Sequence, residues 1–151
     1  MKHTYELMEI ARIGTLFLCG DWVEQAMTPE RRAYTSGDDI DFEEHSYNAL
    51  KRILLLTERI DRSRKEVSCC VWVLRPDKPN YGEPLLAGRT LPAEGHSIIP
   101  LGPELARAFA GTPTTRFRPA GEETVYYPLR NSDEDIVAVL EVSEYRDPYF
   151  I

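Results

Sequence analysis

The spacing of apolar side chains predicts helices in the first part of the chain. Between residues 43 and 62 the apolar side chains recur every three or four positions, and Lys, Arg and Glu occupy the other side, as in an amphipathic helix. Residues 4–27 show a weaker form of this spacing, interrupted by Gly14 and Gly20, and predict a further helix. The polar residues 28–42 predict a connecting segment.

The rest of the chain carries the shorter apolar runs of a β-sheet. Residues 67–74, VSCCVWVL, are apolar at both odd and even positions, which predicts a central strand that is covered on both faces. Residues 75–84 contain three prolines and an Asn-x-Gly and predict a turn. Further strands are predicted at 85–91, 96–101, 114–118, 124–129 and 136–145, with a short helix at 103–110 and a hairpin turn at 130–135.

Composition and charge restrict the class of protein. A length of 151 residues with 42% hydrophobic residues predicts one globular domain. A net charge of -7 argues against nucleic acid as a partner, because such binding needs clustered Lys and Arg. No early apolar run reaches the ~20 residues of a membrane helix, and Glu6 and Glu9 are unlike a signal peptide. We therefore expect a cytoplasmic protein that makes no membrane contact.

The order of these elements resembles the GAF domain family of small-molecule sensor modules, over roughly residues 43–145. The similar segments are the helix leading into VSCCVWVLRPD, the strand LLAGRTLP, the stretch IIPLGPELARAFAGTPT and the terminal hairpin VYYPLRNSDEDIVAVLEV. The resemblance implies an α+β fold, with a central antiparallel sheet of five to six strands and helices packed on one face. A PAS domain shares this outline and stays an alternative. Residues 1–42 then form an N-terminal helix and connecting segment, and residues 43–151 the GAF-like domain, within one compact unit.

The resemblance also implies a ligand pocket between the sheet and the segments that cross it, and a helix layer that pairs two copies. Ordinary core packing is the competing explanation for every apolar side chain in such a position. Tyr126 and Tyr127 are neighbours in a predicted strand, so only one of them can face the pocket. The expected lining residues are Trp72, Leu86, Ile98, Leu101, Phe109, Phe117, Tyr126 and Tyr127.

The cysteines are the first candidates for chemistry. Cys69 and Cys70 alternate along a predicted strand, so they point to opposite faces and cannot bind one metal ion together. Free methionine sulfoxide reductases are stand-alone GAF enzymes that need a reactive Cys at the pocket mouth, yet residues 88–113 contain none. No two of the three histidines have the close helical spacing of a zinc site. We predict no catalytic residue, no metal site and no cofactor.

Three functions remain open at this point. The first is a sensory or regulatory module of the GAF type that binds an unknown small molecule and works as a homodimer through its helices. No effector domain is expected with it, because the sequence ends soon after the last strand. The second is a non-catalytic interaction subunit with a GAF-like fold and a protein partner. The third is a thiol-dependent enzyme such as a free methionine sulfoxide reductase, which requires Cys69 or Cys70 to be reactive.

Overall fold

A computed structural model describes most of the chain. The described residues are 6–27, 45–64, 66–75, 77–88, 98–119 and 121–145. The helices are α1 Leu7–Phe17, α2 Gly20–Ala26, α3 His45–Thr57 and α4 Pro103–Phe109, and the strands are β1 Val67–Arg75, β2 Lys78–Ala87, β3 Ile99–Pro100, β4 Thr114–Phe117, β5 Glu122–Arg130 and β6 Ile136–Tyr145. The predicted connecting segment 28–42 lies outside the described residues.

The described strands form one antiparallel sheet of six strands in the order β3-β2-β1-β6-β5-β4. The middle pair is β1 and β6, aligned from Val67 opposite Glu144 to Trp72 opposite Val139. This arrangement confirms the predicted α+β class with a GAF/PAS-like antiparallel sheet. It also confirms the central position of β1, which has strand neighbours on both sides.

Helices α1, α2 and α3 pack on one side of the sheet, which we call the helix face. Alternate residues of β1 point to this side, because successive side chains of a strand project to opposite faces. Leu50 and Leu54 of α3 are fully buried against them. The core is completed by residues of the helix layer and of the strands. From the helix layer they are Leu7, Ile10, Ala11, Leu18, Val23, Ala26 and Tyr47, and from the strands Val67, Cys69, Val71, Val73, Leu85, Leu86, Val125, Leu129, Ala138, Leu140 and Val142.

The opposite side of the sheet, which we call the second face, carries the short helix α4. Leu105 and Ala108 of α4 are buried against Cys70 and Trp72 of β1. Of the helices in the described part of the chain, three therefore lie on one face and α4 lies on the other. Both faces of β1 are covered, as its two-sided apolar pattern predicts.

The predicted N-terminal helix is two helices. α1 ends at Phe17 and α2 begins at Gly20, with Leu18 and Cys19 extended between them. A methyl group on Gly20 would lie 2.2 Å from the carbonyl oxygen of Arg130. The start of α2 therefore contacts the backbone at the end of β5, and the chain bends there because the two backbones approach so closely.

The turn predicted at 75–84 is also wrong, since β2 begins at Lys78 and runs through Pro79 and Pro84. Proline has no N–H to donate, so a strand tolerates it at a bulge or where no second strand pairs with that position. β3 pairs with β2 only at Tyr81 and Gly82. The pairing register with β1 also shifts next to Pro84, so the strand accommodates both prolines.

The later elements agree more closely with their predictions. The short helix begins at Pro103 and ends before Gly111, whose φ of 110° suits glycine. In the β5–β6 turn, the Asn131 side chain accepts hydrogen bonds from the N–H groups of Asp133 and Asp135. The predicted strand 96–101 is shorter than expected, and its described part is Ile99–Pro100.

Two charged side chains at α3 hold the ends of β1 and β2, and we call them the α3 latch. Lys51 is 1% exposed, and its Nζ donates to the carbonyl oxygens of Ala87, at 2.5 Å, and Gly88, at 2.7 Å. Glu58 is 2% exposed, and its Oε2 accepts from the N–H of Cys69 at 2.8 Å. The latch therefore fixes the point where the chain leaves β2.

Lys51→Met should destabilise the fold, because it keeps much of the side-chain volume but removes the donor from two carbonyl oxygens. We expect a loss of roughly 1–3 kcal/mol in the free energy of unfolding. Arg52→Met is the control, since Arg52 is exposed and should change this free energy by less than about 0.5 kcal/mol. Urea titration followed by circular dichroism measures both. Equal losses of unfolding free energy in the two variants would show that the Lys51 hydrogen bonds do not stabilise the fold.

Candidate functional site

Four of the eight predicted lining residues meet on the second face. Trp72 and Tyr126 are buried in its apolar cluster, and Leu101 and Phe109 pack against that cluster. α4 brings Phe109 into place, and Leu101 precedes this helix closely in sequence. The structure therefore assembles an aromatic and aliphatic wall from the sheet and the segment around α4.

The other four predicted residues lie elsewhere. Leu86 belongs to the core of the helix face, and Tyr127 packs against that core. The pairing register between β1 and β2 shifts between Val71 and Trp72. The resulting bulge puts Leu85 and Leu86 on the same face, which is why the Leu86 side chain lies on the helix face. Ile98 is 36% exposed and Phe117 is 74% exposed, and neither belongs to the second-face cluster. The expectation that Tyr126 and Tyr127 face opposite ways is confirmed.

Polar side chains from the middle strands lie beside this wall. Glu141 of β6 is directly opposite Cys70 of β1 on one side and Tyr126 of β5 on the other. Two residues further along β6, Ser143 is opposite Thr124 of β5. We call Thr124, Glu141 and Ser143 the polar floor of the second face.

The polar floor is buried rather than solvated. Thr124, Glu141 and Ser143 are 1%, 6% and 9% exposed. The hydroxyl oxygens of Thr124 and Ser143 lie 3.0 Å apart and share a hydrogen bond. The Thr124 hydroxyl also donates to the Glu122 carboxylate at 3.1 Å. Buried polar groups in proteins are normally hydrogen-bonded, and the two hydroxyl groups of the polar floor meet this requirement.

Glu141 connects the polar floor to the aromatic wall. Its Oε1 accepts a hydrogen bond from the indole Nε1 of Trp72 at 3.2 Å. Glu144, on the same strand but on the helix face, forms an ion pair with Arg64. The two buried carboxylates of β6 therefore have different surroundings, one among aromatic and hydroxyl groups and the other against a guanidinium.

Sequence reasoning missed the polar floor. The signal that could have revealed it is the alternation in VLEVSEY, where Glu141 and Ser143 share one face of an otherwise apolar strand. Thr124 has the same parity as Tyr126 on the neighbouring strand. Only strand pairing shows that these residues are adjacent, because the register between β5 and β6 cannot be read from either segment alone.

Cys69 and Cys70 lie on opposite faces of β1, as predicted. Burial raises the pKa of the Cys69 thiol well above its usual range, and the nearby carboxylates of Glu58 and Glu141 raise it further. The thiolate is the reactive form of cysteine, so this environment keeps Cys69 in its unreactive form. Cys19 is more accessible and directly precedes α2, where its side chain makes no capping hydrogen bond.

Cys69 should resist alkylation in the folded protein. In a Cys70→Ala background near pH 8.5, where an ordinary thiol is about half ionised, we expect iodoacetamide to modify Cys19 and to spare Cys69. After unfolding in urea both should react, and peptide mass spectrometry distinguishes the two sites. Rapid native labelling of Cys69 would show that its thiol is accessible and ionised.

Comparison with known proteins adds no family assignment. No protein-family model matches the chain, and no curated protein matches it either. Among the described residues there is no group of three metal-binding side chains, and no helix there is long and apolar enough to cross a membrane. The functional conclusion therefore depends on the geometry of the second face.

Proposed function

We propose that this protein is a small-molecule-binding sensory or regulatory module whose site lies on the second face of the sheet. The observation that carries the proposal is the buried polar floor beside the wall formed by Trp72 and Tyr126. Ligand sites typically combine apolar and aromatic walls with a few convergent polar groups. The second face has this composition, with two hydroxyl groups and one carboxylate beside the aromatic rings.

The energetics favour a functional reason for the polar floor. Burying a hydroxyl or carboxylate costs free energy unless hydrogen bonds replace its lost solvation. An apolar residue at position 141 would pack under α4 without that cost. The retention of Glu141, Thr124 and Ser143 in the middle strands is therefore better explained by recognition of a polar ligand than by folding.

We further propose that the protein acts as a homodimer through its helix layer. Leu16 and Phe17 of α1 and Leu56 of α3 are 69%, 66% and 68% exposed. The two helices approach each other at Gly14 and Thr57, which are close in sequence to these side chains. A second copy could cover such apolar side chains in an isologous contact, where the same surface serves both subunits.

A non-catalytic interaction subunit is the second candidate. The same exposed residues of α1 and α3 favour it, since a different protein could cover them. In that case the polar floor would have no ligand, and the helix layer would be the functional surface. The two proposals differ in whether a small molecule is retained.

A thiol-dependent enzyme is the third candidate, and neither cysteine of β1 supports it. Its Cys69 has a raised pKa, which disfavours a nucleophilic thiolate. Cys70 is also buried, beneath α4.

Native mass spectrometry of freshly purified, undialysed protein tests ligand binding. We expect additional mass on the folded protein that is lost on acid denaturation. Adding the released compound at ~100 times its dissociation constant should raise the free energy of unfolding by roughly 2.7 kcal/mol. Protein at its bare chain mass, together with no thermal stabilisation by the small-molecule fraction of a cell extract, would contradict the sensor proposal.

Light scattering after size-exclusion chromatography tests the dimer. We expect a dimer for the wild-type protein and a monomer for the double variant Phe17→Ser and Leu56→Ser, because polar side chains weaken an apolar contact. Leu74→Ser is the control, since Leu74 is 37% exposed and belongs to β1 rather than to the helices. A wild-type monomer, or a dimer that survives the double substitution, would exclude this surface as the contact.

A further inference from the structure

We infer that the ligand of the second face carries a carboxylate group, which the guanidinium group of Arg116 binds. The inference rests on the proposed function and adds the chemical class of the ligand. It follows from the position of Arg116 in the sheet, from the partners of the carboxylates around it and from the charge of the chain.

Arg116 lies on the second face, beside the polar floor. It is on β4, directly opposite Thr124 of β5, and Thr124 is in turn opposite Ser143 of β6. Ser143 is also opposite Ser68 of β1. Residues that pair directly across neighbouring strands project to the same face of a sheet. One line of polar side chains, which we call the polar row, therefore crosses four strands from the guanidinium group to three hydroxyl groups.

Arg116 is half-buried without an opposite charge. Within the described part of the chain, its side chain forms no ion pair and no hydrogen bond. Arg118, two residues further on, is also half-buried but forms an ion pair with Glu122. A charged group that is partly removed from water is costly unless a hydrogen-bonded partner replaces the solvation. The position of Arg116 therefore favours an anionic partner that the protein itself does not supply.

The carboxylates nearest to Arg116 on this face have other partners. Glu122 lies 3.5 Å from the guanidinium group of Arg118 and accepts a hydrogen bond from a hydroxyl group of the polar row at 3.1 Å. Glu141 accepts a hydrogen bond from the indole of Trp72 at 3.2 Å. The N–H donors of Arg116 are therefore left for a ligand, and a guanidinium group has five of them.

The shape of the guanidinium group and the charge of the chain favour a carboxylate. Two parallel N–H groups of an arginine can donate to the two oxygens of a carboxylate, and such charge-assisted pairs are strong. A phosphate group also fits this fork, but near pH 7 it carries close to a second negative charge. A net charge of -7 repels a doubly charged group more strongly than a singly charged one. The singly charged carboxylate is therefore the favoured class.

The next row of side chains indicates what the rest of the ligand is like. Two residues along the same strands, Tyr126 of β5 lies opposite Thr114 of β4. Rows that share a face are about 7 Å apart along a strand. Tyr126 belongs to the aromatic and aliphatic wall with Trp72. A carboxylate at Arg116 would therefore place the adjoining atoms of the ligand beside this wall, which suits an acid with an aromatic or aliphatic body.

A titration followed by nuclear magnetic resonance locates binding through the amide signals of Arg116 and Thr124. The probes are phenylacetate, phenylacetamide and phenyl phosphate, which share a ring and differ in the charge of the end group. We expect phenylacetate to shift both signals at millimolar concentrations. It should bind at least about tenfold more tightly than phenylacetamide, because it alone of these two forms a charged pair. It should also bind more tightly than phenyl phosphate.

Arg116→Gln tests the guanidinium group, and Arg107→Gln is its matched control. Arg107 lies on α4 and is exposed, so its substitution makes the same change of charge away from the polar row. Phenylacetate binding should weaken at least about tenfold in Arg116→Gln and stay nearly unchanged in Arg107→Gln. Arg116→Lys keeps the charge but loses the fork, so we expect an intermediate affinity. If Arg116→Gln does not fold, Arg116→Lys and the preference among the three probes decide the matter.

Three results of these titrations would overturn the inference. They are equal or tighter binding of phenylacetamide or phenyl phosphate, unchanged phenylacetate binding in a folded Arg116→Gln variant, and no shift of the Arg116 and Thr124 signals with phenylacetate. A compound without a carboxylate, retained on the purified protein, would also overturn it and would leave the proposed function intact. The proposed function fails separately, through a bare chain mass and an inactive cell extract.

Discussion

The α3 latch is the interaction that joins the helix layer to the sheet. Lys51 and Glu58 reach from the helix layer to the ends of β1 and β2 and bond to backbone groups there. A buried Lys or Glu is costly unless its charge is hydrogen-bonded, so these side chains fix the separation of α3 from the sheet. Gly88, against which Glu58 packs, marks the point where the chain leaves the sheet. The packing of α3 on the sheet is therefore tied to this contact.

The two faces of the sheet differ in the elements that cover them. The helix face is filled with aliphatic side chains from three helices and four strands, which provides most of the buried apolar core. The second face is covered in part by the short helix α4 and has polar residues in its middle strands. β6 contributes to both faces, with Glu144 paired to Arg64 on one and Glu141 bonded to Trp72 on the other.

The candidate site was predicted only in part. Trp72 and Tyr126 were expected to line it, and they lie together because each is an apolar residue in a strong strand pattern. Leu86 was misplaced because a bulge in β2 shifts the alternation by one residue, which local sequence does not reveal. Glu141 was overlooked because a carboxylate within a strand is ordinarily assigned to solvent, and its burial depends on what covers the sheet.

The sequence by itself determined the types of most elements and the alternation of β1 and β6, because hydrophobic periodicity is a local property. It also determined the short helix between Pro103 and Gly111 and the turn at Asn131, since these depend on single residues with restricted or permissive backbones. Only the tertiary structure decided the strand order, the break between α1 and α2, the burial of Lys51 and Glu58 and the assembly of the polar floor. Each of these joins residues that are distant in the chain, and such contacts depend on packing and strand register rather than on local preference.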